Sequence, residues 1–242
     1  MVNNLLFEQL RRESPQITVG VLTAELMCLG DQLKLIEDAG VKMLHFDVMD
    51  GCFCPMMTVG PPFIKAVKTR LLKDVHLMIE DPLAKLGDYI AAGADLLTIN
   101  IESCRHLHRA LQIIAEAQNV NDPKRGILRG VSLNPATPIE AMRPILDEIE
   151  LVLLLAVNPG WSGQKFIGHV QQKLEAVQEI LREANKEVLV CIDGGVKKTN
   201  IGDIAEMGAD IIVTGSAVFD GKAPAENARF MLEAISKAKP GS

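Results

Sequence analysis

Short apolar runs alternate with longer amphipathic segments along this chain, and the alternation limits the possible folds more than any other feature. Several of the runs are apolar throughout, which is typical of strands buried on both faces of a parallel sheet. The sequence predicts eight strands, at 17–22, 43–47, 74–79, 96–101, 130–133, 151–157, 188–193 and 211–214. It predicts helices between and after them, at 29–39, 62–69, 82–92, 106–117, 138–147, 169–184, 197–207 and 223–237.

Eight strand–helix units favour a closed barrel. The alternative is an open doubly wound sheet, which as a dinucleotide binder would carry a Gly-rich G-x-G-x-x-G turn after its first strand. The first strand is instead followed by Thr23-Ala24. We therefore predict an α/β protein with a (β/α)8 TIM barrel as a single domain over residues 1–242, with a short helical N-terminal lead-in and a frayed C-terminus at 239–242.

Composition narrows the class of partner. A formal net charge of -6 argues against non-specific nucleic-acid binding, which requires clustered Lys and Arg. No apolar run reaches the roughly 18 residues of a membrane span. Five cysteines without disulfide-like spacing favour a reducing compartment. We expect a cytoplasmic protein with a small-molecule ligand and no nucleic-acid or membrane partner.

Polar residues near the ends of three predicted strands form a candidate metal site. His45 and Asp47 are two residues apart in the second strand, so both side chains point to one face. His76 lies in the third strand and Asp193 ends the seventh. Because barrel active sites form at the carboxyl ends of strands, these four residues are candidate ligands for Zn, Fe, Mn or Co. The alternative is that each histidine is a hydrogen-bonded core residue.

Other possible ligands are interpreted as structural. Cys52 and Cys54 form a C-x-C without a second pair, which favours a structural role over metal binding. His106 and His108 begin a predicted helix beside arginines, with no acidic partner evident. We interpret both histidines as surface or interface residues.

Three glycine-containing loops follow the last three strands and form a candidate phosphate site. Glycine lets backbone N–H groups approach an anion closely, and barrel enzymes often bind phosphate in their last loops. The alternative is that these glycines only shape tight turns. The candidate residues are Gly160, Trp161, Ser162 and Gly163 after the sixth strand, Gly194 and Gly195 after the seventh, and Gly215 and Ser216 after the eighth.

Six segments, taken in order, resemble the ribulose-phosphate 3-epimerase family over residues 17–219. The ordered set is much more specific than any one motif. The segments are His45-Phe46-Asp47-Val48-Met49-Asp50-Gly51, Asp74-Val75-His76-Leu77-Met78, Val157-Asn158-Pro159-Gly160, Gln164, Asp193-Gly194-Gly195-Val196 and Gly215-Ser216-Ala217-Val218-Phe219.

The resemblance implies a (β/α)8 barrel enzyme, an isomerase that inverts carbon 3 of a ketose phosphate. It implies that His45, Asp47, His76 and Asp193 bind one divalent metal ion, and that Asp47 and Asp193 are the acid and base. It also implies that Met49 and Met78, together with His76, lie against the substrate, and that the protein forms a homo-oligomer. We expect Asp50, which faces away from Asp47, to brace the turn at Gly51.

The chain departs from the family pattern at several positions that we expect near the substrate. None of them is one of the four candidate ligands, so the reaction type is better supported than the substrate. The departures are Val19-Gly20 for Pro-Ser, Cys52 for His or Arg, Cys54 for Val, Met56 for Asn, Asn100 for His, Leu155 for Met, and Trp161-Ser162 for Phe-Gly.

Two alternatives to an epimerase remain. A barrel decarboxylase or synthase could share the phosphate loops, but its Asp-x-Lys-x-x-Asp pattern is not met because Met49 stands two residues after Asp47. A catalytically silent sugar-phosphate binding protein would explain the lost Ser and His of the family pattern. Retention of both candidate acids argues against it.

Overall fold

Eight parallel strands close into a barrel in chain order in a computed structural model, which describes residues 5–238. The predicted fold class, a (β/α)8 TIM barrel, is confirmed, and the open doubly wound sheet is excluded. The strands are β1 Gln16–Gly20, β2 Met43–Met49, β3 Leu72–Met78, β4 Leu96–Asn100, β5 Leu128–Leu133, β6 Leu151–Leu155, β7 Leu189–Asp193 and β8 Ile211–Thr214. The predicted frayed segment 239–242 and the first four residues of the lead-in lie outside the described residues.

Within residues 5–238, eight α-helices precede, separate and follow the strands: α1 Leu5–Glu13, α2 Leu29–Asp38, α3 Pro61–Ala66, α4 Leu86–Ala91, α5 Leu107–Glu116, α6 Val170–Glu183, α7 Ile201–Glu206 and α8 Pro224–Lys237. Five shorter or tighter segments are 3₁₀ helices: Val21–Thr23, Leu26–Cys28, Pro82–Lys85, Ile101–Ser103 and Ile139–Glu148. No helix within residues 5–238 combines the length and the apolar composition needed to cross a membrane.

The segment between β5 and β6 differs from its prediction. We predicted an α-helix at 138–147, whereas Ile139–Glu148 is a 3₁₀ helix with Pro144 inside it. Proline has no N–H to donate and its ring clashes with the carbonyl four residues earlier, so an α-helix through this position would be broken. The apolar spacing is still used, because Ile139, Met142 and Ile145 are buried.

Side chains alternate along each strand between the barrel interior and the surrounding helices. The outward-facing residues pack with the helices in one large apolar cluster. A second apolar cluster fills the N-terminal part of the interior, where the first inward residues of several strands meet Leu6, Phe7 and Leu10 of α1. Helix α1 therefore closes the N-terminal end of the barrel and leaves the carboxyl ends of the strands open.

Gly130 of β5 provides a test of interior packing. A Cβ at this position would lie 2.3 Å from Thr98 Oγ1 and 3.0 Å from Leu151 Cδ2. Because an interior overpacked by one methyl group costs about 1–3 kcal/mol, Gly130→Ala should lower the urea midpoint without changing the m-value. Gly202→Ala on α7 is the control, since nothing lies within 4 Å of a Cβ there. Equal stability of the two variants would contradict this packing of the interior.

Candidate metal centre and cavity

Four side chains from three strands meet at the open end of the barrel. His45 and Asp47 project from β2, His76 from β3 and Asp193 from the end of β7. Asp47 is directly paired in register with His76, which brings the two strands' polar groups side by side. Each of the four residues offers one ligand atom, and these atoms all lie within 4.8 Å of one another. The structure thus brings together the whole set that the sequence analysis grouped.

The two carboxylates face one nitrogen of each imidazole. His45 Nε2 lies 3.2 Å from Asp47 Oδ1 and 3.9 Å from Asp193 Oδ2. His76 Nδ1 lies 3.7 Å from Asp47 Oδ1 and 3.9 Å from Asp193 Oδ2. Both histidines have no exposed surface, whereas the side chains of Asp47 and Asp193 are 27% and 13% exposed. The carboxylates therefore form the solvent-accessible side of the cluster.

The remaining nitrogen of each imidazole is held from behind. His45 Nδ1 lies 2.7 Å from Asp74 Oδ2. His76 Nε2 lies 2.9 Å from both Asn100 Oδ1 and Ser132 Oγ. Metal-binding histidines usually carry such a hydrogen bond on the nitrogen that does not bind the metal, because it fixes the orientation and tautomer of the ring.

An unsatisfied buried atom supports a metal at this position. His76 Nδ1 is buried and has no hydrogen-bond partner in the structure. A buried polar atom without a partner destabilises the folded protein. A cation between His76 and the two carboxylates would give Nδ1 a partner. Imidazole and carboxylate ligands suit divalent transition metals. The donor set therefore fits a divalent metal ion.

The cluster separates the acidities of its two carboxyl groups. Burial alone would raise the pKa of Asp47, but the charge and hydrogen bond of His45 outweigh it and hold the pKa well below its usual range. Burial and the charge of Asp47 raise the pKa of Asp193 to about 6. Burial would lower the pKa of His45, but Asp74 and Asp47 reverse this and raise it well above its ordinary value. In the metal-free protein the pKa of Asp193 therefore lies well above that of Asp47.

A cavity of about 270 Å³ opens above the carboxylates. Asp47 and Asp193 line it, whereas the predicted substrate contact His76 is not among the lining residues and is fully buried beneath it. The other predicted substrate and phosphate residues all line the cavity: Met49, Met78, Gly160, Trp161, Ser162, Gly163, Gly194, Gly195, Gly215 and Ser216. The β6, β7 and β8 loops therefore share one cavity with the candidate metal centre.

The glycines of these loops are also required by packing. Gly194 and Gly195 have φ of +109° and +69°, and a Cβ would lie 2.4 Å from Val157 Cγ2 or 2.7 Å from the backbone N of Phe166. A Cβ at Gly160 would lie 2.5 Å from Pro55 Cδ. Turn shape alone thus explains these glycines, so phosphate binding by the loops remains a prediction.

Gln164 braces the β6 loop. Its Nε2 donates to the carbonyl oxygens of Asn158 and Trp161, and its Oε1 accepts from Asn158 N. These bonds close the loop that carries Trp161 over the cavity. Gln164 was part of the family resemblance, but its local role was not predicted.

Two residues of this region, Asp74 and Lys197, were not predicted from the sequence. Asp74 lies two residues before His76 in β3, so strand alternation already placed it on the inner face, but its partner on β2 depends on the register. Lys197 lines the cavity just after the Gly194-Gly195 turn and supplies its one lining cation within the described residues. No feature of the sequence separates Lys197 from an ordinary surface lysine.

Asp50 braces the turn after β2, as predicted. Its Oδ1 accepts from the N–H groups of Cys52 and Phe53, and its Oδ2 accepts from the N–H of Glu80. Burial opposes these bonds, but they and Lys85 lower the pKa of Asp50, so the carboxyl group is charged at neutral pH. The loop between β2 and α3 is therefore held to the end of β3.

The cysteines of that loop lie apart from the metal cluster. Cys52 is exposed, and Cys54 is buried with its Sγ 3.7 Å from the carbonyl oxygen of Met78. Among the described residues, neither cysteine belongs to a group that could hold a metal ion. A structural role for the C-x-C remains a prediction.

His106 and His108 are exposed, as predicted for surface residues. His108 does have an acidic partner, however, because its Nε2 lies 3.6 Å from Glu148 Oε1. Glu148 is distant in sequence and reaches His108 only in the fold. An interface role for either histidine remains a prediction.

The barrel is similar to solved structures of several other proteins. A 3-hexulose-6-phosphate synthase from Salmonella typhimurium superposes with a TM-score of 0.65 at 17% identity, covering 92% of this chain and 99% of that one. KGPDC from Streptococcus mutans superposes with a TM-score of 0.66 at 14% identity, covering 94% and 100%. At these identities the likeness concerns the fold alone.

Comparison of the amino-acid sequence with those of known proteins finds relatives at higher identity. The ribulose-phosphate 3-epimerase of Bacillus subtilis is 41% identical over 207 residues, which are 84% of this chain and 92% of the relative. The corresponding protein of Escherichia coli K12 is 37% identical over 207 residues, 84% and 88% of the two chains. The model of the ribulose-phosphate 3-epimerase family matches residues 16–219. This match spans all eight strands and the whole candidate metal centre, and the chain belongs to the ribulose-phosphate 3-epimerase family.

Proposed function

We propose that Asp47 and Asp193 exchange protons at carbon 3 of a ketose phosphate, and that the protein is a metal-dependent 3-epimerase. Ribulose 5-phosphate and xylulose 5-phosphate, or a related pentulose or hexulose phosphate, are the proposed substrates. The observation that carries the proposal is the convergence of both carboxylates and both imidazoles at one side of the cavity, in a chain that belongs to an epimerase family. The enzyme is accordingly an isomerase.

Inversion at carbon 3 needs two proton carriers. One carboxylate removes the proton from carbon 3, and the electron pair of that bond passes to the carbonyl oxygen, which gives an enediolate. The other carboxyl group returns a proton to the opposite face, so the two groups exchange protonation states. The atoms balance without an oxidant, a reductant or a second substrate.

The proposed metal ligands are His45, Asp47, His76 and Asp193. A bound divalent metal would act as a Lewis acid and stabilise negative charge on the substrate oxygens. Zn, Fe, Mn and Co all suit the mixture of imidazole and carboxylate, and the donor set does not select among them. Asp47 and Asp193 have a second role as proton carriers, since they are the cluster members that reach the cavity.

Apolar side chains would protect the reacting centre from water. Met49, Met78 and Leu155 line the cavity beside the two carboxylates. We propose that the methionines pack against the substrate carbons, while the loop glycines, Trp161 and Ser162 bind the phosphate with help from Lys197. Excluding water strengthens the electrostatic interactions in the site and limits loss of the exchangeable proton.

A catalytically silent sugar-phosphate binding protein is the second candidate. The observation that favours it is the loss of the family serine at Gly20, which lines the cavity. Assembly into a homo-oligomer and a cytoplasmic location remain predictions from the resemblance and the composition.

Asp193→Asn should lower kcat by roughly 10²- to 10⁴-fold, because it removes one of the two proton carriers. Conversion of ribulose 5-phosphate into its carbon-3 epimer measures this directly, because exchange of solvent deuterium could still proceed through the one remaining carboxylate. Asp203→Asn on the exposed face of α7 is the matched control and should keep the normal rate. A near-normal rate in Asp193→Asn would exclude the two-carboxylate mechanism. Absence of exchange in the metal-loaded wild type with pentulose and hexulose phosphates would favour the silent binding protein.

Removal of the metal should abolish exchange at carbon 3, because the enediolate would lose its stabilising charge. Elemental analysis of the purified protein, before and after dialysis against a chelator, identifies the ion, and adding back Zn, Fe, Mn or Co separately should restore exchange with at least one of them. His108→Ala is the control, since this exposed histidine lies outside the cluster and should not alter metal content. Full activity in protein free of metal would contradict the proposed cofactor.

Gly20→Ser tests whether the altered cavity wall affects substrate choice. A Cβ at Gly20 would lie 3.6 Å from Gly215 Cα, which is an ordinary contact, so the backbone there accepts a side chain. If the restored hydroxyl forms one hydrogen bond to a pentulose phosphate, kcat/KM should rise by about 3- to 10-fold, which corresponds to a net gain of ~0.5–1.5 kcal/mol. Comparison of ribulose 5-phosphate with a hexulose 6-phosphate measures the change in preference. An unchanged ratio would show that Gly20 does not set selectivity.

A further inference from the structure

Asn100 lies between the buried imidazole of His76 and the exposed carboxylate of Glu102. It ends β4 and is fully buried. Its Oδ1 lies 2.9 Å from His76 Nε2, and its Nδ2 lies 3.3 Å from Glu102 Oε2. One amide therefore connects a proposed metal ligand to a surface acid.

Glu102 determines which way this amide points. Its Oε1 accepts hydrogen bonds from Asn134 N, at 2.8 Å, and from Thr137 Oγ1, which hold the carboxylate in place. A carboxylate accepts hydrogen bonds and does not donate them, so Asn100 must present its NH₂ group to Glu102. The same NH₂ group lies 3.4 Å from Asn134 Oδ1. The carbonyl oxygen of the Asn100 amide is left to face His76.

The carbonyl oxygen in turn determines the tautomer of His76. An amide oxygen only accepts, so the Nε2 atom that faces it must carry the proton. Ser132 Oγ lies 2.9 Å from the same Nε2, but a hydroxyl can donate or accept and leaves the choice open. With the proton on Nε2, the Nδ1 atom of a neutral ring has a free lone pair. This Nδ1 is the buried atom without a hydrogen-bond partner that faces Asp47 and Asp193.

We propose that Glu102 and Asn100 are positioning residues that hold His76 in the Nε2–H tautomer, with Nδ1 ready to bind the metal. The inference rests on the proposed function only through the metal site. The two histidines are then oriented by different chemistry, since a carboxylate, Asp74, holds His45. Glu102 is not among the residues that line the cavity, and its hydrogen bond to Asn100 connects it to His76.

Histidine tautomers are measured by long-range ¹H–¹⁵N NMR on protein labelled at histidine, with the metal removed. The His76 resonances are assigned by their loss in His76→Gln. In the wild type, Nε2 of His76 should be protonated and Nδ1 unprotonated. A His76 ring with its proton on Nδ1 would overturn the proposal.

Glu102→Gln is the decisive variant, because it changes an exposed side chain. If the oxygen of the introduced amide keeps the bonds to Asn134 and Thr137, its NH₂ group faces Asn100, whose own amide must rotate and direct its NH₂ group at His76. We expect the Nδ1–H tautomer to become populated and Zn²⁺ affinity, measured by competition with a chelating dye, to fall about 10-fold, as is usual when such supporting groups are removed. Glu140→Gln, another exposed acid on the following βα connection, is the control and should change neither.

Asn100→Leu removes the hydrogen bonds of the amide while keeping a side chain of similar size. It should weaken Zn²⁺ binding by about 10- to 100-fold, because Nε2 of His76 loses the acceptor that fixes its proton. If Asn100→Leu does not fold, Glu102→Gln and the wild-type tautomer still decide the matter. Unchanged Zn²⁺ affinity and tautomer in Glu102→Gln would overturn the proposal.

Both measurements are independent of catalysis. A wild type that shows the predicted tautomer and binds Zn²⁺ but exchanges no carbon-3 proton would contradict the proposed function and leave the role of Glu102 and Asn100 standing. If the wild type is active but Glu102→Gln binds Zn²⁺ normally and keeps the Nε2–H tautomer, the proposed function is supported. The positioning role of Glu102 and Asn100 is then contradicted.

Discussion

The site depends on one geometric constraint, the alternation of side chains across the wall of a closed parallel barrel. Residues two apart on a strand share a face, so His45 and Asp47 both point inward and Asp74 and His76 do likewise. In the N-terminal part of the interior the inward positions are apolar and packed by α1. Nearer the carboxyl ends, β2, β3 and β7 bring His45, Asp47, His76 and Asp193 together at one point, while β6 contributes the apolar Leu155. A shift of one residue in the register of β2 or β3 would turn the polar groups of that strand into the apolar layer outside.

This polar interior is maintained against the cost of burying polar and charged groups. His45, His76, Asn100 and Ser132 have no exposed surface, and Asp74 is 2% exposed. Each of them has a hydrogen-bond partner, which removes most of the penalty for taking polar groups out of water. The exception is Nδ1 of His76, and it lies where the metal is proposed to bind. Nδ1 of His76 differs from the unpaired hydroxyls of Thr18 and Thr98 in the same interior, because it faces the carboxylates of Asp47 and Asp193.

The sequence was sufficient for the strand number, the fold class and the four clustered residues, because each follows from local periodicity and from the order of the strands. It was insufficient wherever a contact depends on register or on distant segments. Asp74 and Ser132 were not predicted as partners of the histidines. Asp74 on β3 contacts His45 on the neighbouring strand β2, and Ser132 on β5 contacts His76 on β3, with β4 between them. The helix predicted at 138–147 failed for a local reason, because the apolar spacing was given more weight than Pro144. Thus periodicity determines which face a residue occupies, while tertiary structure determines what it touches there.

The difference between the groups behind the two histidines has an electrostatic reason. Asp47, Asp74 and Asp193 already place three carboxyl groups around the two imidazoles, against the two positive charges of a divalent ion. A fourth carboxylate behind His76 would add negative charge to a buried region where repulsion between like charges is poorly screened. An amide supplies the same acceptor without the charge, and Glu102 keeps its own carboxylate at the surface, where water solvates it. Asn100 thus gives His76 the required orientation while the negative charge that determines it remains outside the barrel.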